Sequence, residues 1–140
     1  MPQIKQNDDS SIGMEGSAGG KGGFVPETIV YNASTVDTPF FVADRPYVVQ
    51  GIRGRVEVAG TGGACTVQIR KVPSGTALTS GTVLHSGTFN VVGTAATNQT
   101  LTLSTTPSDL LLAAGDALAY DLTGTPTSAV GAITVTMNPA

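Results

Sequence analysis

His85, the chain's single histidine, lies in Val83-Leu84-His85-Ser86-Gly87, and Cys65 is its single thiol. A histidine beside a serine is the raw material of nucleophilic hydrolysis, in which the imidazole takes the hydroxyl proton. In a strand, however, adjacent side chains point to opposite faces, so His85 and Ser86 are not expected to meet. A triad assembled through the fold would need a polar pocket around His85. Cys65 falls on the apolar side of its own alternation and reads as a small inert hydrophobe. Phosphate cradles fail on inspection: Gly20-Lys21 is followed by Gly22 instead of Ser or Thr, and Glu15 stands where a Walker loop needs its first glycine. Gly60-Thr61-Gly62-Gly63-Ala64-Cys65 lacks the last glycine of a dinucleotide fingerprint. Asp8-Asp9 has no further ligands for calcium, and no zinc-ligand spacing surrounds Cys65. Asn32-Ala33-Ser34 and Asn98-Gln99-Thr100 match the glycosylation pattern, but Met1 to Asp9 has no apolar core of signal-peptide length, so both are read as chance matches. The expectation is no catalytic residue, no cofactor and no metal, and a protein that is not an enzyme.

Composition says what such a chain can build instead. It has 140 residues, 40% apolar and 12% charged, with 18 Gly and 20 Thr. That is one domain's worth of chain, rich in residues that fit pleated strands and tight turns and poor in those of a helical bundle. A net charge of −3 argues against a nucleic-acid partner, which needs clustered Lys and Arg, and against an electrostatic membrane-surface partner. Val72 to Ser108 carries no charge, yet its Ser, Thr, Gly and Asn content makes it no membrane span. A single cysteine permits no internal disulfide, so burial and backbone pairing must hold the fold. The protein reads as soluble.

Residues 1–26 are polar and glycine-rich and are predicted to form a flexible arm that either stays disordered or lies across a partner; residues 27–140 are predicted to form the folded domain. There the apolar residues alternate: Ile52, Val56 and Val58; Cys65, Val67 and Ile69; Leu101 and Leu103; Leu118, Tyr120 and Leu122; Ile133, Val135 and Met137. Further strand candidates are 27–33, 38–43, 47–59 and 88–92, separated by turn signals such as Asp44-Arg45-Pro46 and Gly124-Thr125-Pro126. Eight or nine strands over about 114 residues give an all-β, single β-sandwich. Leu110-Leu111-Leu112-Ala113-Ala114 is the nearest approach to a helical period, a single short turn started by Pro107-Ser108-Asp109 and ended by Gly115-Asp116, and no repeat of solenoid or propeller period occurs.

A hairpin turning at Thr61-Gly62 would place Val58 opposite Cys65 and Val56 opposite Val67, apolar against apolar. It would also set Arg53 opposite Arg70 and Arg55 beside Gln68, and like charges directly opposite destabilise a sheet unless an acid intervenes. Either Glu57 or a neighbouring strand supplies that acid, or another chain does. Arg53, Arg55 and Arg70 are therefore candidate partner contacts, with Lys5, Lys21 and Phe24 as those of the arm. Phe40, Phe41 and Tyr47, flanking Asp44-Arg45-Pro46, are assigned to core packing or to an intersubunit contact.

Several of these segments resemble a known module. Phe41-Val42-Ala43-Asp44-Arg45-Pro46-Tyr47, the Arg53/Arg55 strand, Val67 to Thr76, Leu84-His85-Ser86-Gly87 and Gly93 to Gln99, with Leu118 to Leu122 and Ala129 to Val135, resemble a small β module of tailed-bacteriophage virion proteins. The resemblance covers about residues 40–139, and Arg45-Pro46-Tyr47 and Lys71-Val72-Pro73-Ser74-Gly75-Thr76 are its most specific parts. It implies a capsid decoration (cement) or head-fibre protein with a jelly-roll-like fold, made in the host cytoplasm and carried on the outer capsid surface of the virion. It further implies a small homo-oligomer, a trimer favoured, that binds the major capsid protein and stabilises the shell. The alternative is a tail-fibre or receptor-binding module recognising a host saccharide, whose mark would be exposed aromatic rings; the chain has no Trp and three Tyr.

Overall fold

The computed structural model describes residues 23–140. Lys5, Lys21 and all of the predicted arm before Gly23 lie outside the described residues. The alternating segments form ten strands, β1 (Val25–Asn32), β2 (Thr38–Val42), β3 (Tyr47–Val58), β4 (Thr66–Val72), β5 (Thr82–Val83), β6 (Phe89–Asn90), β7 (Thr97–Leu101), β8 (Leu111–Leu112), β9 (Ala117–Thr123) and β10 (Val130–Pro139). Val25 and Pro26, assigned from sequence to the arm, belong to β1. The expected turn is confined to Pro107–Leu110, a 3-10 helix with Pro at its start, where a missing N–H costs nothing, and Leu111–Leu112, expected to continue it, form β8 instead. A second 3-10 turn, Leu78–Ser80, lies between β4 and β5.

Two five-stranded sheets result. The first runs β1-β10-β3-β7, with β8 also on β3; the second runs β2-β9-β4-β5, with β6 also on β4. Every pairing is antiparallel. With β5/β6 and β7/β8 each taken as one interrupted strand, the pairing is nested. First pairs with last, second with second-last, β3 with β7/β8 and β4 with β5/β6. A nested antiparallel ribbon wrapped over two facing sheets is a jelly roll, so the all-β sandwich read from the alternation is the observed class.

The predicted β3–β4 hairpin is not formed, because the two strands lie in different sheets. Val56 and Val67 are both fully buried, but on opposite walls of the core. Period-two alternation specifies which face of a strand is dry and is silent on which neighbour it bonds, so facing walls satisfy it as well as a hairpin does. The glycine-rich link between them crosses the end of the sandwich. Gly60 N–H donates to Val91 O (3.0 Å), and Thr61 pairs with Thr127 as an isolated bridge.

The core closes around three rings. Tyr31 of β1 packs against Phe89 (centroids 6.0 Å, edge-on) and Tyr120 (5.9 Å) from the opposite sheet. Two glycines make room for them: a Cβ at Gly54 would meet the Phe89 ring, and one at Gly131 would meet the Tyr31 phenol and Arg55 O. The Tyr31 hydroxyl is buried without a hydrogen-bond partner among the described residues, and burial pushes its pKa up to about 12. An unpaired buried hydroxyl costs roughly 1–3 kcal/mol, while the ring itself supplies the packing. Tyr31→Phe is therefore expected to stabilise the fold by about 1 kcal/mol, read as a higher midpoint in chemical denaturation.

Candidate functional site

The first sheet turns one face to the core and the other to solvent, and cross-strand register arranges the outer face in rows. Val30, Ala132, Arg55 and Asn98 form one row; Thr28, Thr134, Arg53 and Thr100 form the next. Thr28 and Thr134 share a hydroxyl–hydroxyl bond of 2.7 Å. In the middle of the face, Arg55 Nε donates to Glu57 Oε1 (2.7 Å) and Nη1 to Asn98 Oδ1 (3.2 Å). The acid expected between the basic residues is thus Glu57, from the same strand, but it serves Arg55 alone. Arg53 has no ion-pair partner among the described residues, and its guanidinium lies over Gly51.

Two open depressions flank Arg53. One, of about 430 Å³, is lined by Arg53, Arg55, Asn98, Gln99, Thr100 and Thr134 among others. The second, of about 330 Å³, is lined by Phe24, Gln50, Gly51, Arg53 and Thr136. Arg53 is common to both, and Phe24, which is 65% exposed, brings the chain onto this face. The lining offers guanidinium, amide and hydroxyl groups and no nucleophile–base pair. Such a surface can dock carboxylates and backbone amides of another macromolecule.

Arg70 is placed elsewhere. It stands on β4 of the second sheet, opposite Ala119 and Val83 instead of Arg53. Its guanidinium is committed inside the fold: Nε to Asp121 Oδ2 (2.6 Å), Nη1 to Gly81 O (2.6 Å) and Nη2 to Gln68 Oε1 (3.0 Å). With side chains only 17% and 10% exposed, Arg70 and Asp121 form an internal pair that ties residues 73–81 to the sheet. This corrects the grouping of three arginines as one basic cluster, which depended on the hairpin register. Asp121 carried no signal in the sequence, since an acid within an apolar alternation reads as an outward, solvated position.

The aromatics flanking Asp44-Arg45-Pro46 pack. Tyr47 is buried, Phe41 meets it edge-on at 5.6 Å, and Phe40 leans on the core. Tyr47 also donates its hydroxyl to Asp44, which, with Arg45, holds that carboxyl below its usual range. Cys65 is buried as a hydrophobe. His85 is 94% buried by area yet fully satisfied: Nε2 accepts from Ile69 N–H (3.0 Å), and Nδ1 lies 3.1 Å from Ser86 O, which fixes the neutral tautomer with its proton on Nδ1. It joins β4 to the segment before β6 and faces no serine hydroxyl. No group of three or more His, Cys, Asp or Glu that would hold a metal occurs among the described residues. No helix among them is long and apolar enough to cross a membrane.

No family model matches the chain, and no curated protein matches it by sequence. Among solved structures, a chain from the cyanophage Pam1 capsid asymmetric unit superposes with a TM-score of 0.51 over 91% of this chain and 95% of that one, at 14% identity. The likeness is one of fold. Weaker likenesses are to the Bacillus endospore appendages described as disulfide-linked pili (TM-score 0.34, 16% identity, 91% and 98% covered). Another is to infectious bursal disease virus Gx strain (TM-score 0.35, 17% identity, 97% of this chain and 36% of that one).

Two outcomes follow from the buried polar groups. Burial lowers the His85 pKa from 6.5, so the unfolded chain binds a proton more readily than the folded one. The stability this group supports is complete above pH 6.5 and is lost as pH falls toward the depressed folded value. Denaturation midpoints measured from pH 7 to pH 5 are expected to fall less steeply in His85→Gln than in the wild type. Asp121→Ala strands the Arg70 guanidinium and should cost on the order of 3 kcal/mol, with faster proteolysis within residues 73–81.

Proposed function

We propose that this chain is a virion structural protein that decorates the head of a tailed bacteriophage, binding the outer surface of the major capsid protein shell and stabilising it. The observation that carries this reading is the jelly-roll fold shared, over nearly the full length of both chains, with a chain of the cyanophage Pam1 capsid asymmetric unit. The bacteriophage resemblance of residues 40–139 is independent of that superposition and agrees with it. In this reading the protein acts as a small homo-oligomer, a trimer favoured, and its attachment face is the outer side of β1-β10-β3-β7 centred on Arg53 and Arg55. A protein that binds across subunit boundaries adds its binding free energy to the shell by mass action, and needs neither cofactor nor chemistry to do so.

The saccharide-binding alternative has no support on the surface. Stacking on sugar rings requires exposed aromatics, whereas Tyr31, Tyr47 and Tyr120 are all buried and Phe24 is the one exposed aromatic among the described residues.

The experiment is quantitative mass spectrometry of purified virions with cryo-electron microscopy. The expected result is a copy number matching the head lattice and density on the outer shell; a few copies at the tail, or none in the virion, would overturn the reading. On isolated shells, Arg53→Glu with Arg55→Glu should weaken binding by about tenfold or more with an unchanged melting temperature. Equal binding by variant and wild type would remove this face as the attachment surface.

A further inference from the structure

The described strands leave four sheet edges, and three of them are short or broken. β2 has five residues, includes Pro39 and shifts register against β9 between Leu118 and Ala119. β5 and β6 have two residues each, and β7 and β8 are separated by residues 102–110. Such interruptions are how sheets discourage further pairing.

β1 is different. Its eight residues keep unbroken register with β10, from Val25↔Met137 to Asn32↔Val130, and contain neither Lys nor Arg. None of the described residues pairs with its far side. On that side Asn32 is already engaged, its N–H donating to Thr35 Oγ1 (2.9 Å) and its C=O accepting from Thr35 N–H (3.1 Å). In an antiparallel ladder alternate residues face the same neighbour, so the N–H and C=O of Thr28 and Val30 point the same way. Pro26 shares that parity and has no N–H to offer. Thr28 and Val30 thus stand complete between one residue without a donor and one whose donor is taken.

We propose that β1 pairs antiparallel with β1 of a second copy about a two-fold axis at Ile29, joining the first sheet of each copy into one continuous sheet. In that register Thr28 faces the partner's Val30 and Val30 the partner's Thr28, so every free donor meets a free acceptor. Pro26 then lies opposite the partner's Asn32, where neither strand has a donor to lose. An axis at Thr28 would set the Val30 C=O against the partner's Pro26, and one at Val30 would set the Thr28 C=O against the N–H already held by Thr35; each leaves an acceptor unanswered. Charge selects the same register: Glu27, the one charged residue of β1, falls opposite the partner's Tyr31, whereas an axis at Glu27 would put the two carboxylates directly opposite each other. Ile29 meets the partner's Ile29, apolar against apolar. On the outer face Val30, 74% exposed, adjoins the row that carries the exposed Val130 and Val58, and the axis brings the partner's Val30 within diagonal reach, continuing that patch into the second copy. The inference goes beyond the virion reading and does not rest on it; an isologous contact closes at two copies, so it is distinct from any threefold contact.

Sedimentation velocity and hydrogen exchange on the full-length protein over a dilution series test it, with cysteine cross-linking for the register. The expected result is a species of two chains that dissociates on dilution, with exchange in peptides over residues 27–31 quickening as it does. Val30→Lys, which sets a charge at the edge and leaves the β10 side of the strand untouched, should give a monomer with β3 and β10 protection unchanged. Under oxidation, Thr28→Cys mixed with Val30→Cys should form a disulfide-linked dimer several-fold faster than either variant alone, since directly opposed Cα atoms lie about 5.5 Å apart. A monomer at every concentration would overturn the proposal, and continued protection of residues 27–31 in it would assign the covering strand to the same chain. Equal association by Val30→Lys would move the contact off β1, and cross-linking as fast by either single variant would refute the axis at Ile29.

Discussion

Strand β10 is hydrogen-bonded on both flanks, to β1 and to β3, and the rest of the structure depends on that placement. The same holds in the second sheet for β9, between β2 and β4. Each sheet is therefore completed by a strand from the end of the chain inserted between two from its first half. Contacts such as Thr28 with Thr134 join residues 106 apart. Closing loops of that size costs entropy before any contact repays it.

Once the sheets face each other, close approach is settled by absence of side chains. Gly54 and Gly131 admit the Phe89 and Tyr31 rings, and the rings tie the two walls together. The few buried polar groups are each answered by a specific partner, Arg70 by Asp121 and His85 by the backbone of Ile69 and Ser86. Tyr31 is the exception among the described residues, and its ring earns a place that its hydroxyl does not. In a chain with one cysteine, these pairs and the apolar core hold the loops.

Chemistry-bearing residues are thus consumed by architecture, and what faces solvent is a sheet of threonines, amides and two arginines. Arg55 is half-answered by Glu57, and Arg53 is left over between two depressions. A surface of that kind fits attachment to another protein, and the fold is shared with a chain of the cyanophage Pam1 capsid asymmetric unit. The longest unbroken edge, β1, lies on the same sheet, so it and the face that carries Arg53 and Arg55 are neighbours.

Period-two alternation determined that the chain is all-β, which side of β4, β9 and β10 is dry, and that Cys65, Ile69 and Ile133 are core, because a pleat sends successive side chains to opposite faces whatever the neighbour is; it missed the two-residue strands β5 and β8 and read Val58, which is exposed, as dry. Turn residues located the breaks, and Pro107 located the one helical turn between Leu103 and β8. Pairing was decided only in three dimensions. Val56 and Val67 satisfy the same pattern across a hairpin or across a core, and only packing of all ten strands chose the core. With that choice Arg70 moved to the other sheet and found Asp121, while Arg53 and Arg55 stayed together because they share one strand and one face. Residues on a single strand keep their relation in any fold that preserves it; residues on different strands owe theirs to the topology, which no local pattern encodes.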